Sequence, residues 1–245
     1  TIKNQLIIKY LLLIMSVKYI ENDIHNEILN IEDNSFDLIY TSPPYGITEA
    51  EWDKPLEWDM LFPEMWRVLK PKGIIVIHAS MPFTYELLKY QTPKYHYTWL
   101  KNKKTNFFKA KLQPLRNTEE VFIYYKSPGT YNPQMIGNEV YKKVYMKQKD
   151  NNKHYGHRKN INQSYVSENE THTGKYPSTL LEYKTRVDNT GISRTDEMID
   201  FFIKTYSNEE DNILDLTCHN NFVGDRCKLL NRNYLGIDIN LKLNN

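Results

Sequence analysis

Cysteine is nearly absent from this 245-residue chain, with Cys218 and Cys227 the only two. That is too few for a disulfide framework or a zinc centre, and it suits a reducing interior. Long apolar runs are missing as well. The opening stretch from Leu6 to Ile14 is broken by Lys9, falls far short of the ~20 residues a membrane span requires, and lacks the small-residue cleavage site of a signal peptide. Neither sign of charge dominates, with Lys+Arg at 32 against Asp+Glu at 30, and no internal repeat is visible. The remainder, 40% hydrophobic and 25% charged, has the balance of a globular protein. Its length suits one sizeable α/β core with an elaboration. An intracellular protein without membrane association is expected. Met15 stands just before a well-patterned segment, so residues 1–14 are expected to be an upstream extension.

The near-neutral total conceals a strong division. From Lys94 to Arg186 there are 18 Lys+Arg against 7 Asp+Glu, a balance of +11, which leaves −9 for the flanks. Tyrosine and phenylalanine are interleaved with these bases. Cations neutralise a phosphate backbone and rings stack on bases, so this pattern suits a polyanion-facing module on a more acidic body.

Around that basic middle the chain reads as α/β. Phe36 to Tyr40 is a short apolar run that ends at Pro43-Pro44, as a buried strand feeding a loop does. Trp58 to Leu69 has mostly helical spacing, Lys70-Pro71-Lys72-Gly73 is expected to stop it, and Ile74 to Ile77 reads as a second strand. Strand, helix and strand in this order indicate a parallel crossover. Beyond residue 93 the pattern loosens apart from one strand at Val121 to Tyr125, and residues 130–190 show little periodicity. Order returns with a helix over Asp196 to Tyr206, a strand at Ile213 to Leu216, a helix from Val223 to Leu230 and a strand at Tyr234 to Ile239.

Chemistry is concentrated in Thr41-Ser42-Pro43-Pro44-Tyr45, directly after the first strand. An amine on a base ring is a poor nucleophile because its lone pair is delocalised, and acceptors converging on its hydrogens restore its reactivity. Ser42 supplies a side-chain oxygen and Pro43 a carbonyl, while the two proline rings fix the backbone that holds them. Pro44 completes the rigid turn, and Tyr45 offers a ring on which a flipped base can stack. Near the other end, a strand ending at Asp215 is followed by a loop, a helix and a strand ending at Asp238. The separation approximates the ~20 residues at which an acid meets ribose hydroxyls in nucleotide-binding βαβ units. Asp238 is therefore the ribose candidate, and Asp215, Thr217, Cys218, His219 and Asn221 are candidates in the loop beside the cofactor. Cys218 and His219 without further partners do not make a metal site.

With these segments, the chain resembles the β-class of S-adenosylmethionine-dependent amino-methyltransferases, which carry Asp/Asn/Ser-Pro-Pro-Tyr ahead of the cofactor loop. The resemblance runs from about Met15 and includes Tyr19 to Asp23, Leu69 to Gly73, Thr105 to Val121 and Asn212 to Asn240. It implies a Rossmann-like methyltransferase fold with a mostly parallel twisted sheet and an inserted basic target-recognition region. The catalytic half is assigned to 15–93, the target-recognition insert to 94–186 and the cofactor-binding half to 187–245. It also implies S-adenosylmethionine as cofactor, no metal, double-stranded DNA as partner, and a homodimer as a common assembly. Asp23 takes the place of the family's acid near the adenine, and Arg194 stands where the family has a segment beside the methionine carboxylate. Ser at the first motif position leans toward cytosine N4, with adenine N6 the alternative. The sequence departs from the family at His219-Asn220-Asn221, where Gly-x-Gly is expected. Glycine permits positive φ and close backbone approach, so the substitution leaves open an altered cofactor geometry or an inactive DNA-binding protein. Methylation of a glutamine side chain or of RNA is a further alternative.

Overall fold

The structure, a computed structural model, describes residues 17–147, 163–188 and 191–243; the expected upstream extension lies outside them. The elements in chain order are β1 (Val17–Glu21), α1 (Ile24–Glu27), β2 (Phe36–Thr41), α2 (Trp58–Val68), β3 (Leu69–Ala79), α3 (Phe83–Tyr90), β4 (Tyr95–Thr105) and β5 (Arg116–Tyr124). They continue as β6 (Ile136–Lys147), β7 (Gln163–Lys175), β8 (Leu180–Leu181), β9 (Thr185–Asp188), β10 (Gly191–Arg194), α4 (Asp196–Tyr206), β11 (Asn212–Asp215), α5 (Phe222–Leu229) and β12 (Asn233–Asp238). Two compact units result, one built from the residues up to Asn132 together with those from Thr179 onward, the other from Pro133–Ser178.

The first unit is organised by an eight-stranded sheet in the order β1-β12-β11-β2-β3-β5-β4-β8. The pairings from β1 through β3 are all parallel, those of β5 with β3 and with β4 are antiparallel, and β8 adds parallel to β4. Side chains from Ile74 to Ala79 along β3 are all buried, in two cores. Ile75, Ile77 and Ala79 join the cluster beneath α2 and α3, while Ile74 and Val76 join the opposite cluster built on Phe202, Ile203 and Tyr206 of α4 and Cys227 of α5. Both faces of the sheet are thus covered, as a parallel sheet requires. The Rossmann-like expectation is met in this mostly parallel, doubly covered sheet.

The helix stops ahead of Lys70 to Gly73, as expected, but without a turn: α2 ends at Val68 and the chain passes straight into β3. Pro71 disfavours the helical region for the residue before it, and the Lys70 ammonium is drawn to Asp37 on the neighbouring strand at 2.7 Å. The loosened pattern after residue 93 conceals long strands. β4 turns Tyr97, Trp99 and Lys101 inward between more exposed neighbours, so a charged inward residue breaks the hydrophobic alternation that would have announced it. Residues 95–105, 116–124 and 180–181 of the basic stretch therefore belong to the main sheet. The separate second unit contains β6 and β7, which pair antiparallel with register shifts at Ile136/Val140 and Lys142/Val144.

Candidate functional site

In an open α/β sheet, ligands collect outside the carboxyl ends of the strands where the winding reverses direction. Here that point lies between β11 and β2. From β2 the parallel order runs outward to β3; from β11 it runs the other way through β12 to β1. The carboxyl end of β2 is Thr41, leading into Ser42-Pro43-Pro44-Tyr45, and the carboxyl end of β11 is Asp215. The two loops meet where Thr41 Oγ1 lies 3.0 Å from Thr217 Oγ1, a contact between residues 176 apart in the chain.

On the β2 side, Pro43 is buried while Ser42 and Tyr45 are half-buried. The Ser42 hydroxyl lies 3.5 Å from the Tyr45 hydroxyl, which donates to Glu119 Oε2 at 3.4 Å. Glu119 in turn accepts from Lys101 Nζ at 2.7 Å, with only 6% and 15% of these two side chains exposed. This ion pair on β4 and β5 was not singled out from the sequence, although Glu119 belongs to a segment that resembles the family. One face of the Tyr45 ring is already stacked on Phe83, with centroids 5.4 Å apart at 15°. Burial pushes the Tyr45 hydroxyl pKa well above the ordinary range, and the Glu119 carboxylate adds to the rise, so the hydroxyl stays protonated and able to donate.

The loop after Tyr45 is fixed by a residue that the sequence did not flag. The buried Asp53 carboxylate accepts from the backbone N–H of Gly46 at 2.8 Å, Ile47 at 2.9 Å and Thr48 at 2.7 Å, and from the Thr48 hydroxyl at 2.8 Å. Burial opposes ionisation, yet these donors hold the carboxyl pKa below its usual value. Gly46 adopts φ 65° in this turn.

On the β11 side, Asp215 is buried and accepts from the Tyr234 hydroxyl at 3.2 Å and the Thr217 N–H at 3.2 Å. Burial pushes its pKa up to about 6, against the Thr217 amide and the nearby Arg194 charge, which favour the carboxylate. His219 stands at φ 57°, the left-handed conformation for which glycine is the usual choice. The backbone turn thus survives the departure from Gly-x-Gly. Two bonds hold it, His219 N–H to Asp238 Oδ2 at 2.8 Å and Lys242 N–H to the His219 carbonyl at 2.8 Å. Asp238 also accepts from Asn240 N–H at 2.8 Å, so each carboxylate oxygen has one backbone donor and keeps a lone pair for another. Cys218 is buried with its thiol against Gly236, and Asn221 Nδ2 donates to Asp225 Oδ2 at 2.7 Å.

Asp23 sits beyond β1, beside the end of β12, where Asn22 N–H bonds the Asp238 carbonyl at 3.0 Å. Its Oδ1 is already engaged, by His25 N–H at 2.9 Å and by the His25 ring Nδ1 at 2.7 Å. Arg194, at the end of β10, brings its charge within range of Tyr40, Tyr45, Asp215 and Glu119, which raise its pKa against the cost of burial. Its Nε is buried without a hydrogen-bond acceptor.

A doubly wound sheet whose two loops meet at its reversal point is the architecture in which open α/β proteins bind their ligands. The DNA methylase family (N6_N4_Mtase) matches residues 36–244, and the chain belongs to that family. It is 27% identical over 232 residues to the type II methyltransferase M.HpaI of Haemophilus parainfluenzae, covering 86% of this chain and 66% of that protein. A shorter match, 44% identity over 64 residues, links it to the type II methyltransferase M.BglII of Bacillus subtilis, covering 24% of this chain and 18% of that one. The chain thus spans less than two thirds of the length of these relatives. Among solved structures it superposes on the cytosine-N4-specific PvuII DNA methyltransferase with TM-score 0.60 at 14% identity, covering 93% of this chain and 83% of the other. A complex of M1.HpyAVI with S-adenosylmethionine matches with TM-score 0.55 at 18% identity, covering 91% and 92%. These structural likenesses bear on the fold. Among the described residues no helix is long and apolar enough to cross a membrane.

Proposed function

We propose that this chain transfers a methyl group from S-adenosylmethionine to the exocyclic amino group of a base flipped out of double-stranded DNA, with cytosine N4 the acceptor. The observation that carries the reading is the meeting of the Ser42-Pro43-Pro44-Tyr45 loop and the Asp215–Asn221 loop at the reversal point of the sheet, sealed by the Thr41–Thr217 contact. Family membership and the basic stretch over 94–186 support DNA as the substrate, and the second unit, 133–178, lies within the region expected to recognise the target.

The fit to the cofactor rests on this chain's own residues. Asp238 keeps free lone pairs for ribose hydroxyls, the left-handed turn at His219 keeps the backbone open, and Arg194 has an unused donor for a carboxylate. Thr217 and Cys218 lie on the loop after β11, and Asp23 lies beside the end of β12. When bound, S-adenosylmethionine supplies an electrophilic methyl group on a sulfonium. Ser42 Oγ and the Pro43 carbonyl accept from the amino group, draw electron density back to its nitrogen and orient its lone pair. Tyr45 holds the base on the face not covered by Phe83. The retained loop geometry gives no support to an inactive DNA-binding protein, and the Ser at the first motif position favours cytosine N4 over adenine N6.

The test is incubation of the purified chain with radiolabelled S-adenosylmethionine and mixed-sequence DNA, followed by digestion to nucleosides. Label on N4-methylcytosine that is lost in Ser42→Ala and Tyr45→Ala variants is expected. Label on adenine corrects the base, and no label on DNA refutes the reading.

A further inference from the structure

The β4–β5 connection rises from the carboxyl edge of the sheet. β4 runs in the same direction as β2 and β3, so its end projects past the edge that carries Ser42 to Tyr45. The tip is ordered by its own backbone: Asn106 turns the chain at φ 72°, Lys109 N–H bonds the Asn106 carbonyl at 3.1 Å and Gln113 N–H bonds the Lys109 carbonyl at 3.0 Å. Its base is fixed by Arg116 Nη1 donating to the Met81 carbonyl at 3.0 Å. This preformed turn presents Phe107, Phe108 and Leu112, which are 65%, 84% and 85% exposed.

Three large apolar side chains in water at one turn call for a partner, and the surrounding charge specifies its chemistry. From Lys101 to Thr118 the chain contains six Lys and Arg residues and neither Asp nor Glu. Lys101 is consumed by Glu119, and Lys109 lies over the Phe108 ring at 5.5 Å. Cations around an apolar projection match a duplex, whose phosphates meet the lysines and whose base stack receives the apolar side chains. The base of the connection lies near the site: Tyr45 bonds Glu119, and Arg116 stands three residues earlier at the start of β5, on the order of 10 Å of extended chain.

We infer that Phe107 and Phe108 form a wedge that enters duplex DNA beside the flipped base and fills the gap it leaves. The inference rests on the DNA-methylation reading and adds a residue-level interaction surface to it. A base drawn toward Tyr45 vacates its place in the stack, and the lost stacking is costly; an inserted ring recovers part of that loss. Single-stranded DNA has no such gap.

The test compares the full chain with Phe107→Ala/Phe108→Ala and Lys109→Ala/Lys111→Ala variants. Binding and fluorescence are measured with a mixed-sequence duplex carrying 2-aminopurine at a fraction of its adenine positions, alongside methyl transfer to that duplex and to its separated strands. The phenylalanine variant is expected to lose at least half of the fluorescence rise at saturating protein. It should also methylate duplex at least tenfold more slowly while keeping its rate on single strands. The lysine variant is expected to lower the salt dependence of duplex binding by about two in slope, which the phenylalanine variant leaves unchanged. Equal loss on duplex and single strands, or an undiminished fluorescence rise, overturns the wedge. So does a change of sedimentation from dimer to monomer in the phenylalanine variant, which assigns the surface to a second copy. If the parent chain transfers no methyl to either DNA form yet unstacks duplex through the phenylalanines, the proposed activity fails and the wedge stands.

Discussion

Replacing Asp215 with Asn tests the electrostatics of the loop floor. The folded carboxyl titrates at about 6 against an ordinary 3.8. As pH rises, the unfolded chain releases this proton first, whereas the folded chain keeps it until about 6. Ionisation therefore weakens the fold through this group: its contribution is fully present below the unfolded value and is lost as pH passes through the folded value. At ~1.4 kcal/mol per pH unit of separation, the loss is about 3 kcal/mol between about pH 4 and about pH 7. Asn does not titrate. It keeps one acceptor oxygen, so the variant also carries a pH-independent cost of ~1 kcal/mol for each weakened bond from Thr217 or Tyr234. Urea unfolding of both proteins across this pH range measures the difference. The stability of the variant relative to the parent should climb by about 3 kcal/mol from acid to neutral, crossing from deficit to surplus. A difference that stays flat within ~0.5 kcal/mol would refute the reasoning, because it would mean that Arg194 and the local donors fully offset the burial of the charge.

Other consequences are equally direct. His219→Gly relieves a left-handed conformation that costs ~1–2 kcal/mol for a side-chain-bearing residue, less the ~0.4–1 kcal/mol of extra unfolded-state freedom. A net gain of about 0.5 kcal/mol in urea unfolding is expected, and a loss would show that the imidazole has a packing role. Lys101→Met strands the buried Glu119 carboxylate beneath Tyr45, with an expected destabilisation of ~3–5 kcal/mol that Lys101→Met/Glu119→Leu recovers in large part; chemical denaturation of the single and double variants measures this. Asp53→Asn removes the charged acceptor that gathers Gly46, Ile47 and Thr48, so limited proteolysis should cut at 46–52 faster than in the parent. In the parent, the same cleavage should accelerate as pH falls through the depressed carboxyl pKa of Asp53, and an unchanged rate would remove Asp53 from that role.

The sequence alone determined the parts whose information is local. Proline geometry made Ser42-Pro43-Pro44-Tyr45 a rigid acceptor loop, and hydrophobic periodicity marked the β2–α2–β3 and β11–α5–β12 units and the helix at Asp196–Tyr206. The basic stretch was visible as charge, but its division was not: Lys101 occupies an inward position on β4 because Glu119 neutralises it from β5, and that exception erased the alternation by which a strand is read. Tertiary structure alone decided which loops meet. The pairing of β11 with β2 joins Thr41 to Thr217, and the pairings of β5 with β3 and with β4 set the Glu119–Lys101 pair beside Tyr45. None of these contacts is written in a neighbouring residue, because each depends on strand register and sheet order across long chain separations. The same holds for His219, whose left-handed backbone follows from two hydrogen bonds, to Asp238 and from Lys242, rather than from the propensity of histidine.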